Sequence, residues 1–225
     1  MENIVILCGG LGTRVKHITL DKPKLLININ GKPFFDHVLK IFKKNKIKNI
    51  FLLTQHKDEY IKNYIKNINH FRIKVLRDGK KRLGTGGSLK RNLKFLPKEF
   101  FLTYGDSYLD FDYSKIKKKF KSTNKNIITI YKNKSSKHKN NILFSNKKIL
   151  KYNKKKNFNY IDYGLFYFKK SDLKECNIKS KEFDMSEYIK ELIRKKKLGH
   201  VISRKKFQEC GSIVGINSLR KILKI

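Results

Sequence analysis

Acidic residues are scarce in this sequence: Asp and Glu number 18 against 55 Lys and Arg, a formal net charge of +37. Cysteine is scarce too. Cys8, Cys176 and Cys210 are far apart and odd in number, no CxxC pair exists, and the histidines show no ligand spacing. These facts argue against a zinc site or a disulfide framework. Scattered free thiols suit a reducing cytoplasm, which is the expected location. No apolar run approaches a membrane span, and Ile4–Leu7 is too short for a signal peptide and stops at glycines, so no membrane is expected as a partner. Internal repeats are lacking, as are linkers rich in Gly, Ser or Pro, so residues 1–225 read as a single domain.

The positive charge raises the question of nucleic acid. Lys far outnumbers Arg, and Lys, Asn and Ile together are the residues favoured by AT-rich coding sequence. The lysines are spread over the chain, with short runs at Lys117–Lys119, Lys154–Lys156 and Lys195–Lys197. The interleaved aromatic platform that single-stranded nucleic acid needs is missing. The expectation is nonspecific attraction to polyanions and no specific nucleic-acid site. Triphosphates and sugar phosphates are themselves anions.

Hydrophobic residues nevertheless make up 39% of the chain, enough for a buried core. Short apolar runs at Asn3–Leu7, Asn49–Thr54, Ile73–Leu76, Phe100–Tyr104 and Ile127–Tyr131 read as strands. Between them, Phe34–Phe42 and Asp58–Ile68 have helical spacing, the glycines of Leu83–Gly87 lead into a helix through Leu96, and another helix lies near Ser114–Phe120. This alternation predicts an α/β fold: a doubly wound, Rossmann-like mixed sheet with helices on both faces. Past about Lys132 the regularity breaks. Ile142–Phe144 and Ile149–Tyr152 predict a small antiparallel ribbon, Leu165–Phe168 another strand, and Asp184–Ile193 a helix capped by Asp184 or Ser186. A short strand, a turn at Gly211 and a final helix complete the chain.

Gly9-Gly10-Leu11-Gly12-Thr13-Arg14 follows the first strand directly. Glycines let the backbone approach a phosphate and point amides at its oxygens. Thr13 adds a hydroxyl, and Arg14 a guanidinium fork suited to a di- or triphosphate. A Walker A loop is excluded, because Gly31-Lys32 is followed by Pro33, and the dinucleotide fingerprint fails at Val15, where its third glycine belongs.

At these residues the chain resembles the sugar nucleotidyltransferase family, whose opening signature runs Gly-Gly-x-Gly-Thr-Arg, then a short spacer, then Pro-Lys; here Pro23-Lys24 stands in that place. The likeness continues in order through Leu83-Gly84-Thr85-Gly86-Gly87-Ser88-Leu89, Tyr104-Gly105-Asp106-Ser107, Tyr163-Gly164-Leu165 and Phe207-Gln208-Glu209-Cys210-Gly211-Ser212. The resemblance implies that Arg14 and Lys24 grip a triphosphate, with Asp106 completing the catalytic set. It implies that Leu7, Gly9, Gly10, Gly12, Thr13, Asp78, Gly84, Thr85 and Gly86 hold the nucleotide, and that Lys154, Asp162 and Gly164 hold a sugar 1-phosphate. Asp106 and Glu209 are implied to converge on one Mg²⁺. Two departures stand out: Cys8 replaces the usual Ala before the glycine pair, and Asn153 stands where an acid often precedes the sugar-phosphate lysine, which leaves Lys154, Lys155 and Lys156 in competition.

The implied partners are an NTP and a sugar 1-phosphate, and homo-oligomerisation is left open. Asp78-Gly79 before Leu-Gly-Thr-Gly-Gly most resembles bacterial enzymes acting on heptose or hexose 1-phosphates for surface polysaccharides, which favours GTP. The alternatives are uridylyl, cytidylyl or thymidylyl transfer, and a non-catalytic nucleotide-sugar-binding regulator on the same fold.

Overall fold

A computed structural model of the protein describes residues 2–10, 22–55, 58–79, 81–133 and 139–223. Its first half alternates strand and helix. Strand β1 (Glu2–Leu7) is followed by the short strands β2 (Asn28–Ile29) and β3 (Lys32–Pro33), helix α1 (Phe34–Lys44), β4 (Ile47–Thr54), α2 (Asp58–Ile65), β5 (Arg72–Arg77) and α3 (Gly84–Asn92). The chain then crosses to β6 (Glu99–Tyr104), β7 (Ser107–Tyr108), α4 (Tyr113–Thr123) and β8 (Asn126–Tyr131). The expected ribbon is β9 (Ile142–Ser145) and β10 (Lys148–Tyr152), paired antiparallel. After it come β11 (Ile161–Lys169), α5 (Lys170–Lys174), α6 (Met185–Arg194), β12 (Leu198–Ser203), β13 (Gln208–Glu209) and α7 (Ile213–Ile222).

Seven strands form one sheet in the order β12-β8-β11-β6-β1-β4-β5. All neighbours run parallel except β11, which is antiparallel to both β6 and β8. Side chains alternate across a strand, and the sequence uses that alternation to fill two cores. Ile4 and Ile6 of β1, Phe101 of β6, and Tyr163, Leu165 and Tyr167 of β11 pack on one face with α1, α4 and α7. Val5, Leu7, Phe100, Leu102, Phe166 and Phe168 pack on the other with α3 and α6. Strands buried on both faces read as continuous apolar runs. Each fully buried Ile or Phe contributes roughly 1.5–3 kcal/mol, and Phe34 and Phe35 of α1 are both completely enclosed.

One expectation needs correcting. The segment Leu83–Gly87 is not a loop leading into a helix; Gly84–Gly87 is the first turn of α3 itself. The reason is close packing. Gly86 and Gly87 both donate their amides to the carbonyl of Phe183, and a Cβ on Gly86 would run into the Phe183 ring. The glycines let α3 lie directly against the chain entering α6.

The sheet order places the topological switch between β1 and β6. Before it the chain winds outward through β4 and β5; after it, the chain winds the other way. Open α/β sheets bind ligands outside the carboxyl ends of the strands at such a switch. Leu7, Leu53, Leu76 and Tyr104 lie in register at or next to the ends of their strands along that edge. The amino end of antiparallel β11, which carries Asp162 and Gly164, comes to the same edge, since Leu165 pairs with Thr103 and Asp162 with Ile130.

Candidate active site

Three adjoining cavities run along the carboxyl edge of the sheet. The first, about 390 Å³, is walled by Leu7, Gly9 and Gly10 on one side and by Gly84, Thr85 and Ser88 on the other, with Asp78 between them. The second, about 140 Å³, shares Leu7, Gly10 and Thr85 with the first and adds Lys24 and Asp106. The third, about 600 Å³, shares Asp106 with the second and contains Lys154, Asp162, Gly164 and Glu209. The first and third cavities each fall within the size range of ligand pockets.

In the first cavity Asp78 is 4% exposed. It follows β5, and its amide donates to Thr54. Its Oδ1 accepts from Asn92 Nδ2 at 2.8 Å, and Ser88 also donates to the carboxylate. Burial pushes its carboxyl above the usual range, against those two donors and the charge of Arg91. Oδ2 faces the space over Gly9, 3.8 Å from where a Cβ on that glycine would stand. Asn92 was not foreseen; its spacing of four from Ser88 on one helix face was the available signal. Thr85 is engaged with protein: its hydroxyl donates to Asp184 Oδ2 at 3.0 Å and accepts from the Met185 amide at 2.9 Å. Gly86 stands apart from the other expected nucleotide residues, because it is buried and its amide is used on Phe183. Gly12, Thr13 and Arg14 lie outside the described residues.

In the middle cavity Lys24 Nζ lies 2.8 Å from Asp106 Oδ2, with the lysine side chain 16% exposed. Lys22, on the other side of Pro23, is exposed and does not line the cavity. Asp106 lies in the turn between β6 and β7. Strand β13 pairs with β7, setting Glu209 opposite Ser107, and the Cys210 amide donates to the Asp106 carbonyl. The consequence is convergence at Gly211. A Cβ there would lie 2.7 Å from Asp106 Oδ2, 2.9 Å from Glu209 Oε2 and 3.1 Å from Lys24 Nζ. A side chain at this position would displace all three charged groups. The Glu209 carboxylate also accepts from the Gly211 amide and the Ser212 hydroxyl just before α7. Glu209 is thus held by the chain that leads into α7.

Among the described residues no group of three or more His, Cys, Asp or Glu could hold a metal. Asp106 and Glu209, whose carboxylates both lie beside Gly211, are donors of the type Mg²⁺ takes: one or two carboxylates, with phosphate oxygens and water completing the shell.

At the third cavity Gly164 has φ +84°, a left-handed conformation that favours glycine, and its amide donates to Asp162 Oδ1 at 2.7 Å. The β11–β8 register shifts between Asp162 and Phe166, so the ladder is interrupted around this glycine. Asp162 Oδ2 accepts from Tyr152 at 3.2 Å, and Tyr104 is a second hydroxyl partner. Burial raises the Asp162 carboxyl to about 6, although the Gly164 amide, Tyr152 and Lys154 all favour its charged form. Of the three consecutive lysines, Lys154 lines the cavity and Lys155 and Lys156 do not. Lys154 Nζ lies 2.7 Å from Asp184 Oδ1. Asp184 had been recognised only as a helix cap, a role it does fill by accepting from the Ser186 amide.

A mixed sheet with a phosphate-sized cleft at its switch point, a lysine–aspartate pair inside and a second acid brought in from far along the chain is the architecture of a nucleotide-handling enzyme fold. The family model described as nucleotidyl transferase matches residues 3–215, and the chain belongs to that family. It is 44% identical over 114 residues to the D-glycero-alpha-D-manno-heptose 1-phosphate guanylyltransferase of Campylobacter jejuni, covering 50% of this chain and 51% of that protein. It is 33% identical over 132 residues to a glucose-1-phosphate cytidylyltransferase of Salmonella typhimurium, covering 48% and 51%. The matched stretch thus spans about half the length of these curated relatives. Among solved structures, HddC from Yersinia pseudotuberculosis superposes with TM-score 0.82 at 21% identity, over 100% of both chains. That protein has also been seen complexed with GMP-PN, with TM-score 0.80 and 21% identity. No helix among the described residues is long and apolar enough to cross a membrane.

Proposed function

We propose that the protein transfers a nucleotidyl group from an NTP to a sugar 1-phosphate, releasing pyrophosphate, and that GTP is the donor. The observation that carries the reading is the continuous trough with Asp78 at one end, Lys24 and Asp106 in the middle, and Lys154 and Asp162 at the other. The sugar-phosphate oxygen attacks the α-phosphorus in line as pyrophosphate leaves. The attacking oxygen is already ionised at neutral pH, so no general base is required, and catalysis is positioning plus charge neutralisation. Lys24 and Arg14 serve the triphosphate, while Lys154 serves the sugar phosphate and Asp162 the sugar hydroxyls. Asp106 and Glu209 would hold Mg²⁺, which supplies further neutralisation of phosphate charge when bound.

The case for guanine rests on Asp78. An ionised carboxylate only accepts hydrogen bonds. Guanine offers two adjacent donors on its pairing edge, whereas adenine and cytosine offer one beside an acceptor, and uracil and thymine offer one between two acceptors. Asn92 and Ser88 fix the carboxylate in place. Guanylyl transfer to a manno-heptose 1-phosphate is also the activity named for the Campylobacter relative, and we place this protein in cytoplasmic nucleotide-sugar supply for surface polysaccharide. The test is a pyrophosphate-release screen of each NTP against heptose, mannose and glucose 1-phosphates. UTP or CTP turning over as well as GTP would remove the guanylyl assignment; no release with any pair would remove the enzyme reading.

A further inference from the structure

Asp184 occupies a position that the reading above leaves unexplained. It lines the first cavity, yet its Oδ1 is paired with Lys154 in the third. Its Oδ2 accepts from Thr85, which lines both the first and the second cavity. The same carboxylate caps α6 through the Ser186 amide. Three contacts, from Thr85 of α3, the Ser186 amide of α6 and Lys154 after β10, therefore meet on one side chain.

We propose that Asp184 is a positioning residue: it holds Lys154 aimed across the sugar-phosphate cavity and away from Asp162, tying the lysine to the Thr85 wall of the nucleotide cavity. The proposal rests on the nucleotidyltransferase reading and adds to it a residue that touches neither reacting group.

Lys154 has two carboxylates within electrostatic reach, Asp184 and Asp162. The geometry pairs it with Asp184, whose carboxyl burial would raise but which the lysine and the Ser186 amide draw below the usual range. Without Asp184, the ammonium turns to Asp162, the more deeply enclosed acid. That exchange would mask both groups meant for the substrate: the cation for the phosphate and the acceptor for the sugar hydroxyls. An opposing effect exists, since removing an acid lessens repulsion of an incoming anion. The Lys154 and Asp184 side chains are 50% and 42% exposed, and in such a site solvent screens that repulsion. Loss of aim outweighs it.

Asp184→Asn is the discriminating change. Asn caps helices as well as Asp and keeps partners for Ser186 and Thr85, so α6 stays in place while the ion pair is lost. Kinetics are measured by pyrophosphate release with the pair the wild type turns over, starting with GTP and D-glycero-α-D-manno-heptose 1-phosphate. The expected result is a rise of roughly tenfold in KM for the sugar phosphate, with kcat and the GTP KM within about twofold of wild type. Lys154→Met should raise the same KM at least as much, and the double variant should be no worse than Lys154→Met alone. An unchanged sugar-phosphate KM, an equal rise in both KM values, or additive losses in the double variant would overturn the positioning role in an active enzyme. A wild type that releases no pyrophosphate with any pair would instead bring down the functional reading and this proposal together.

Discussion

Replacing Asp162 by Asn should stabilise the folded protein at pH 8 and weaken its hold on the sugar phosphate. In the fold, burial raises this carboxyl from 3.8 to about 6, so the native state favours the neutral acid. Below 3.8 the group is protonated in both folded and unfolded chains and has no effect. As pH rises from 3.8 through 6 the unfolded chain loses its proton first, and stability falls. Above about 6 the folded protein carries the full penalty of an ionised, enclosed carboxylate. A gap between 3.8 and about 6, at about 1.4 kcal/mol per tenfold change in proton affinity, corresponds to at most about 3 kcal/mol. Asn has nearly the same shape, still accepts from the Gly164 amide and carries no charge. For a chain of this size each 1 kcal/mol shifts Tm by roughly 2–4 °C, so the gain is at most roughly 6–12 °C. Thermal melts of both proteins at pH 4 and pH 8 provide the assay. The stabilisation should be present at pH 8 and largely absent at pH 4, while the variant's sugar-phosphate KM rises far more than its NTP KM. A variant that melts no higher than wild type at pH 8, or that gains equally at both pH values, refutes the argument from buried charge.

Gly86→Ala places a methyl group against the Phe183 ring and the Asp184 carbonyl; overpacking of this kind costs about 1–3 kcal/mol, read as a Tm lower by several degrees. Asp106→Asn should cut kcat by about a hundredfold or more, the scale of losing a charge-stabilising group, across a Mg²⁺ titration and with the circular dichroism of the wild type; near-normal turnover would remove Asp106 from the mechanism. Lys24→Met should strengthen Mn²⁺ binding to the substrate-free protein by roughly tenfold, because the ammonium beside Asp106 repels a second cation. Spin-resonance titration measures this, and Lys22→Met, which removes the same charge from an exposed position, should change little. Binding to DNA or RNA should collapse between low and physiological salt; sequence-preferring binding that survives would contradict the reading of the lysines as dispersed charge.

Much of the architecture was legible because it is written in local period. Runs such as Ile4–Leu7 and Phe100–Leu102 are apolar at every position because both faces of their strands are buried, and the ribbon at β9–β10 could be read from two short apolar runs. The first turn of α3 was misread as a loop because glycine disfavours helix in isolation; what overrides that preference is tertiary, the approach of Phe183 from almost a hundred residues away. Within the trough, the residues on motifs were visible as motifs, but their partners were not. Nothing adjacent in sequence links Asp184 to Lys154, or Asn92 to Asp78. Which of Lys154, Lys155 and Lys156 lines the cavity was likewise hidden, since a run of identical residues carries no direction.

The placement of antiparallel β11 between β6 and β8 has a consequence for how the chain is made. Strand β6 docks on β1, which is synthesised well before it, but its other edge waits for β11, whose residues emerge 57 or more positions after Tyr104. At about 5–20 residues per second, a ribosome needs roughly 3–11 s to supply them. During that interval the half-built sheet presents the apolar run Phe100–Tyr104 with a free row of backbone donors and acceptors, a template for pairing with any other nascent chain. The protein's excess of lysine works against such encounters, because like-charged chains repel. A polypeptide terminated between β6 and β11 would keep that edge open permanently, and its fate would be aggregation rather than a smaller folded core.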